Sequence, residues 1–170
     1  MINLSIENEY KKWLPDENKI IEITNKIFDF YMSCSEISKN SCLSGYEYET
    51  IAFDILFTDG VQTHIINRDY RRKDYPADII TFALFADSTP EERFVQEFEI
   101  NLGEIIIALD KITEEAEKKG IGKDIELIFM ISHGILHLLG FDHQTEDEFQ
   151  FVVDHQKLAL ENIGIKYDKI

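Results

Sequence analysis

Apolar residues recur at helical intervals near the start of the chain. After Asp16, a residue type suited to an N-cap, they stand three or four positions apart at Ile20, Ile23, Ile27 and Tyr31. This spacing predicts an amphipathic helix with a structural role. The polar stretch over residues 33–45 that follows predicts a loop.

Alternating apolar residues then predict a half-buried strand over residues 51–57, which a following Asp-Gly pair would end. A short helix over residues 61–67 is expected next. Two isoleucine-rich segments, residues 78–84 and 99–109, predict further strands separated by an acidic loop. The first half of the chain therefore contributes three or four strands.

The second half of the chain predicts helices. A helix capped by Asp110 should end near Gly120, and residues 123–140 are long and apolar enough to form a helix buried in the core. Thr145 and Glu148 have capping-box spacing and would start a last helix. Its expected inner face carries Phe149, Val152, Val153 and Leu160.

These elements together predict an α+β fold, with a small mixed β-sheet packed with helices in a single domain over residues 1–170. The chain has no internal repeat or linker, and 44% of its 170 residues are hydrophobic, which suits one packed core. The histidine-rich segment would lie on a central helix.

Charge and cysteine content narrow the possible partners. Acidic residues outnumber basic ones by 33 to 17, and the net charge of −16 repels nucleic acid, DNA included, and anionic membranes at long range. Cys34 and Cys42 are too few for a disulfide framework and are expected to be free thiols. The N-terminus lacks an apolar signal core, and no stretch approaches the roughly 18 apolar residues of a membrane helix, which favours a soluble cytoplasmic protein.

Three of the five histidines lie in the segment HGILHLLGFDH. On a helix, His133 and His137 would stand one turn apart, with about 6 Å between their Cβ atoms. Gly140 suits a left-handed turn that ends the helix and returns His143 to the other two. Three imidazole nitrogens leave a fourth tetrahedral position open, which is typical of a catalytic zinc ion. The spacing predicts one Zn²⁺ per chain on these three histidines.

A single histidine on an apolar helix is more often a hydrogen-bonded core residue than a ligand, and a structural role is preferred for His64 and His155. Zinc peptidases with the HExxH motif use the glutamate after the first histidine as general base. Here that position is Gly134, so the spacing resembles the metzincin zinc site while the chemistry is expected to differ. Asp142 could act as a base, orient a ligand or simply stabilise the turn.

The clearest basic cluster covers residues 68–73, which hold four cations and one acid. The planar guanidinium of arginine suits a pair of phosphate oxygens, and beside a metal it could stabilise charge on a phosphoryl group. A solvated charged loop is the alternative interpretation.

INRDYRRKDYPADIITFA and LGEIII lie, in that order, before the histidine segment. Together with HGILHLLGFDH they resemble, in sequence and in order, three motifs of the YbeY family of metal-dependent bacterial endoribonucleases. HGILHLLGFDH matches the family's H-G-x-L-H-L-x-G-[YF]-D-H at every specified position. INRDYRRKDYPADIITFA keeps most of L-N-x-x-Y-R-x-K-D-x-P-T-D-V-L-S-F-P, and LGEIII corresponds to L-G-D-I-x-I. Departures include Ala77, Glu104 and Gln156, where threonine, aspartate and glutamate are frequent. They leave the three histidines and the arginine intact.

The resemblance implies zinc on the three histidines beside a groove that holds Arg71 as a catalytic residue. With the basic cluster, it makes Arg71, Arg72 and Lys73 candidates for substrate binding. The implied function is a zinc-dependent, single-strand-specific endoribonuclease in small-subunit ribosomal RNA processing, ribosome maturation and rRNA quality control, with small-subunit proteins or assembly GTPases as partners. Two alternatives stay open: a metal-dependent hydrolase of a peptide or amide, and a non-enzymatic ribosome assembly factor with a structural zinc.

Overall fold

The computed structural model describes residues 2–168 of the chain. Over that range it has four strands and seven helices, in the order β1 (Ile2–Asn8), α1 (Glu17–Ser33), α2 (Ser35–Asn40), β2 (Thr50–Thr58), α3 (Gly60–Arg71), β3 (Ile79–Phe82), α4 (Leu84–Asp87), β4 (Glu99–Ala108), α5 (Leu109–Lys119), α6 (Lys123–Leu138) and α7 (Glu146–Asn162).

The four strands of the described chain form one mixed sheet in the order β1-β2-β4-β3. β1 and β4 both pair parallel with β2, and the edge strand β3 runs antiparallel to β4. Gly103 in β4 has a φ of +124°, and a Cβ at this position would clash with the carbonyl oxygen of Phe82 in β3. The predicted α+β fold with a small mixed sheet is confirmed.

The core lies between one face of the sheet and α6. Alternate residues of β2 are buried on that face, and α1 and α7 also pack against α6. Because α6 is enclosed by sheet and helices, it needs apolar residues around most of its circumference. The prediction of a buried central helix is confirmed by its buried side chains, which include Leu127, Ile131, Ile135, Leu136 and Leu138.

The first strand and the second helix were not predicted. In β1 the apolar residues Ile2, Leu4 and Ile6 alternate with polar ones, and the strand extends the sheet by parallel pairing with β2. The stretch over residues 33–45, predicted as a loop, contains α2. A single buried side chain, Ile37, anchors that helix to the core, so it has too little apolar periodicity to be recognised from sequence.

Several predicted boundaries change. The segment 78–84 is a strand only over Ile79–Phe82, and the helix expected over 61–67 is longer than predicted, because α3 extends over Gly60–Arg71. The prediction that Phe149 lies on the inner face of α7 is wrong, because this side chain is 44% exposed and its ring lies beside that of His143 instead. The other three predicted inner residues are buried: Val152, Val153 and Leu160.

Asp110 does not cap α5 as predicted. The helix begins at Leu109, with Ala108 as its N-cap, and the Asp110 carboxylate accepts a hydrogen bond of 2.8 Å from the backbone N–H of Gly60. This contact ties α5 to the start of α3. The predicted end of α5 at Gly120 is confirmed by the left-handed φ of +68° at that residue.

Cys34 and Cys42 are free thiols in the described chain, as predicted. Cys42 is buried, and its backbone N–H donates to the Leu139 carbonyl at 2.9 Å, which holds the segment after α2 against the end of α6. Across residues 2–168, no helix has the length and apolar character needed to cross a membrane.

Candidate metal centre

The last two turns of α6 bring two histidines together. His133 and His137 are four residues apart, and their Nε2 atoms lie 2.9 Å from each other. Both rings are only partly exposed at the surface of an otherwise buried helix. Their proximity follows directly from the helical period.

A glycine turn brings the third histidine to this pair. Gly140 has a φ of +100°, and the N–H groups of Gly140 and Phe141 donate back to the carbonyls of His137 and Leu136, both at 3.0 Å. The chain reverses, and the ring centroid of His143 lies 5.2 Å and 4.9 Å from those of the two helical histidines. The predicted juxtaposition of the three imidazoles is present.

Gln156 in α7 fixes the orientation of His133. Its Nε2 donates to the Phe129 carbonyl at 3.0 Å, so its Oε1 faces His133 Nδ1, also at 3.0 Å. A carbonyl oxygen can only accept, which excludes the reverse orientation of the amide. His133 therefore carries its proton on Nδ1, and the lone pair of its Nε2 points toward His137. Gln156 is 1% exposed.

Burial favours the neutral form of the two helical imidazoles, His133 and His137. The pKa of His137 is lowered to about 4, mainly by desolvation, with smaller contributions from the neighbouring imidazoles of His133 and His143. The pKa of His133 is also lowered, mainly by burial. Neutral imidazoles at pH 7 have free lone pairs, which is the state that binds a metal.

The donor set fits a transition metal. One nitrogen from each of the three histidines lies within 4.8 Å of the others, and within residues 2–168 the cluster has these three members. Imidazole suits zinc and its neighbours, and tetrahedral zinc would separate two ligand nitrogens by about 3.3 Å. With three protein ligands, a zinc ion held here would keep one coordination position for water or substrate.

The cluster forms one wall of a cavity of about 790 Å³. Arg71 at the end of α3 and Lys73 in the next loop line the same cavity, and the positive charge of Arg71 helps to lower the pKa of His137. Arg72 is exposed and lies outside the lining. It is the C-cap of α3, where a left-handed φ of +57° ends the helix. The structure thus brings two of the three predicted substrate-binding cations to the histidines.

The loop after α3 is anchored by Asn67. The Asn67 carbonyl accepts from the N–H of Lys73 at 3.1 Å, and its side-chain amide donates to the Tyr75 carbonyl at 2.9 Å. Asn67 is fully buried and also lines the cavity. Its side-chain oxygen has no hydrogen-bond partner among the described residues. Sequence reasoning identified Asn67 only as a motif residue and did not predict this anchoring role.

Two other predictions concern residues beside the cluster. Gly134 faces the core, where a Cβ would lie 2.8 Å from Ile105 Cδ1. A glutamate at this position could not reach the cavity as it does in zinc peptidases. Asp142 lines the cavity and its carboxylate accepts from the N–H of His143 and from the Gln144 amide, both at 2.8 Å. Those bonds support the interpretation of Asp142 as a turn-stabilising residue.

The remaining histidines lie apart from the cluster. His64 Nε2 is 2.8 Å from a carboxylate oxygen of Asp74, which braces the loop after α3. His155 has its Nδ1 2.7 Å from the Phe151 carbonyl within α7. Both contacts agree with the structural roles predicted for them.

The fold and the cavity define a class: an α+β protein in which three histidines that could hold a metal line one cavity with an arginine and a lysine. A family model described as "Endoribonuclease YbeY" matches residues 5–164 of the chain. The chain belongs to the YbeY family.

Individual relatives agree with this assignment. The chain is 36% identical over 148 residues to the endoribonuclease YbeY of Bacillus mycoides, an alignment that covers 85% of this chain and 94% of that protein. It is 44% identical over 112 residues to the Geobacillus protein of the same name, covering 65% and 72%. The solution structure of TM1509 from Thermotoga maritima has a similar fold, with a TM-score of 0.51 and 20% identity over 96% of this chain and 91% of that one.

Proposed function

We propose that this chain is a zinc-dependent endoribonuclease that cleaves phosphodiester bonds in single-stranded RNA, with residues 1–170 acting as one domain. The observation that carries the proposal is the single cavity in which the three histidines meet Arg71 and Lys73. Membership of the YbeY family supports the same reaction class.

Different residues would bind the metal and the phosphate. His133, His137 and His143 would hold the metal, and bound Zn²⁺ would supply Lewis acidity toward a phosphate oxygen or a water molecule. Arg71 would donate from two guanidinium nitrogens to the phosphate and stabilise the negative charge that develops during cleavage. Lys73 would add a point charge on the same side.

The substrate must be held by local charge, because the chain as a whole carries a net charge of −16. Cations of the cluster over residues 68–73, Arg72 among them, would contact phosphates beyond the cavity. Weak affinity for isolated RNA follows, and a protein partner would add affinity. We therefore propose small-subunit ribosomal RNA as the substrate in the cytoplasm, during processing, ribosome maturation and rRNA quality control, with small-subunit proteins or an assembly GTPase as partners.

The two alternatives are less well supported. A peptide or amide hydrolase of the HExxH type would need its base where Gly134 packs against Ile105. A purely structural zinc would be expected to have four protein ligands, whereas the cluster has three members among the described residues.

The test is cleavage of a labelled RNA by metal-loaded protein. We expect zinc-loaded wild type to cut a single-stranded RNA internally and to leave the matching duplex and a peptide library intact. His137→Ala should abolish cleavage. RNA cleavage that survives in His137→Ala would point to a contaminating nuclease, and peptide hydrolysis by the wild type alone would favour the alternative hydrolase.

A further inference from the structure

An exposed aromatic residue lies on the wall of the cavity. Tyr75 is 54% exposed and lines the cavity together with the three histidines, Arg71 and Lys73. Among the described residues that line the cavity, Tyr75 is the only aromatic residue other than the histidines. The ring is thus available to a ligand that also reaches the histidines.

The backbone that carries this ring is held in place. Asn67 donates to the Tyr75 carbonyl at 2.9 Å, and the Thr63 hydroxyl donates to the carbonyl of Ala77 at 2.8 Å. Both anchoring side chains are buried in α3. A ring on a fixed backbone loses little conformational entropy when a ligand packs on it, which favours binding.

We infer that Tyr75 is a stacking platform for an unpaired RNA base adjacent to the phosphate at the histidine cluster. The inference rests on the proposed function. In a nucleotide, a single ribose separates the phosphate from the base. If the phosphate of an RNA strand binds Arg71, the base of that nucleotide therefore lies near the cavity wall that carries Tyr75. Proteins commonly bind single-stranded RNA by stacking its bases on aromatic side chains.

The same ring would select against duplex RNA. Bases inside a duplex are stacked on their neighbours on both faces, so they cannot also stack on a tyrosine without leaving the helix. The cations Arg71 and Lys73 favour the backbone of either form. Tyr75 would thus add a preference for unpaired strands to a site whose charges alone provide none.

The experiment compares Tyr75→Leu with Tyr75→Phe on zinc-loaded protein and a short single-stranded RNA. Tyr75→Leu should raise KM on the order of 10-fold with little change in kcat, since base stacking is lost from ground state and transition state alike. Tyr75→Phe should keep the wild-type KM. Phe94→Leu is the matched control, because Phe94 is 70% exposed and lies outside this cavity. Zinc content and melting temperature should be unchanged in all three variants.

A substrate lacking one base separates stacking from other causes. An abasic nucleotide is moved through the RNA position by position. When the missing base is the one that stacks on Tyr75, the abasic RNA should raise the KM of wild type as much as Tyr75→Leu does on intact RNA. For the Tyr75→Leu variant, this abasic RNA should have the same KM as the intact RNA.

An unchanged KM for Tyr75→Leu, with wild type fully active, would overturn the stacking role and leave the nuclease proposal intact. The stacking role would also be overturned if Tyr75→Leu raised KM by the same factor on every abasic RNA, whichever base is missing. Absence of RNA cleavage by zinc-loaded wild type would instead refute the proposed function and this inference together.

Discussion

His133 donates from Nδ1 to the side-chain oxygen of Gln156, and this bond turns its Nε2 toward His137. The two residues belong to different helices and are 23 positions apart. A metal-ligating histidine usually has such a partner on its other nitrogen, which sets its tautomer and its orientation. Gln156 would therefore support a metal centre on these histidines by orienting His133, without being a ligand itself.

Replacing this partner should weaken metal binding. We expect Gln156→Leu to lower zinc affinity by about 10–100-fold, because the imidazole loses the acceptor that holds its tautomer. Gln156→Glu retains an acceptor and should bind zinc more tightly than the leucine variant. Competition with a chromophoric chelator measures the affinities. Gln150→Leu on the exposed side of the same helix is the control, and equal losses in both leucine variants would contradict the specific role of Gln156.

Removing the metal should destabilise the fold. A ligand that binds only the native state stabilises it by mass action, so chelation should lower the melting temperature of wild type by about 5–10 °C. The triple variant with alanine at His133, His137 and His143 should contain no zinc after purification and should not respond to chelator. Identical melting curves for loaded and stripped wild type would mean that the metal does not contribute to stability.

Arg71 should matter for the reaction and not for the metal. Arg71→Ala is expected to keep zinc content and melting temperature near wild type but to reduce RNA cleavage by a factor on the order of 10² or more. Arg71→Lys should recover part of the rate, because an ammonium keeps the charge and loses the planar fork. Arg72→Ala should cost less, since Arg72 lies outside the cavity lining. Undiminished cleavage by Arg71→Ala would remove this residue from the mechanism.

Glu104 on the sheet should make stability depend on pH. Partial burial raises its pKa above the usual value, and the carboxylates of Asp54 and Glu7 raise it further. The native state thus disfavours ionised Glu104, so stability falls as pH rises from 4.5 through the raised native pKa. Asp54 is its direct partner on β2, and cross-strand like charges are destabilising.

We therefore expect Glu104→Gln to raise the melting temperature by about 1–3 °C at pH 7. The gain should become small as the pH falls to 4, where the wild-type carboxyl is mostly protonated in both states. Thermal scans over that pH range provide the measurement, with the exposed Glu47→Gln as control. A gain that is the same at pH 4 and pH 7 would show that the charge is not its cause.

Local periodicity in the sequence determined the three-histidine cluster. The cluster consists of two histidines one helical turn apart and a third that follows a helix-ending glycine. Both features depend only on backbone geometry within eleven residues, so they could be predicted without the rest of the chain. The apolar composition of α6 likewise required burial on several sides, and the alternation in β2 required a half-buried strand.

Only the tertiary structure decided what surrounds the cluster. Gln156 meets His133 because α7 packs on α6, and Arg71 reaches the histidines because the end of α3 lies at the same cavity. Gly134 faces Ile105 of β4, and this contact depends on how α6 lies on the sheet. Such contacts join residues far apart in sequence. They depend on the packing of whole elements, and no local period of the chain carries that information.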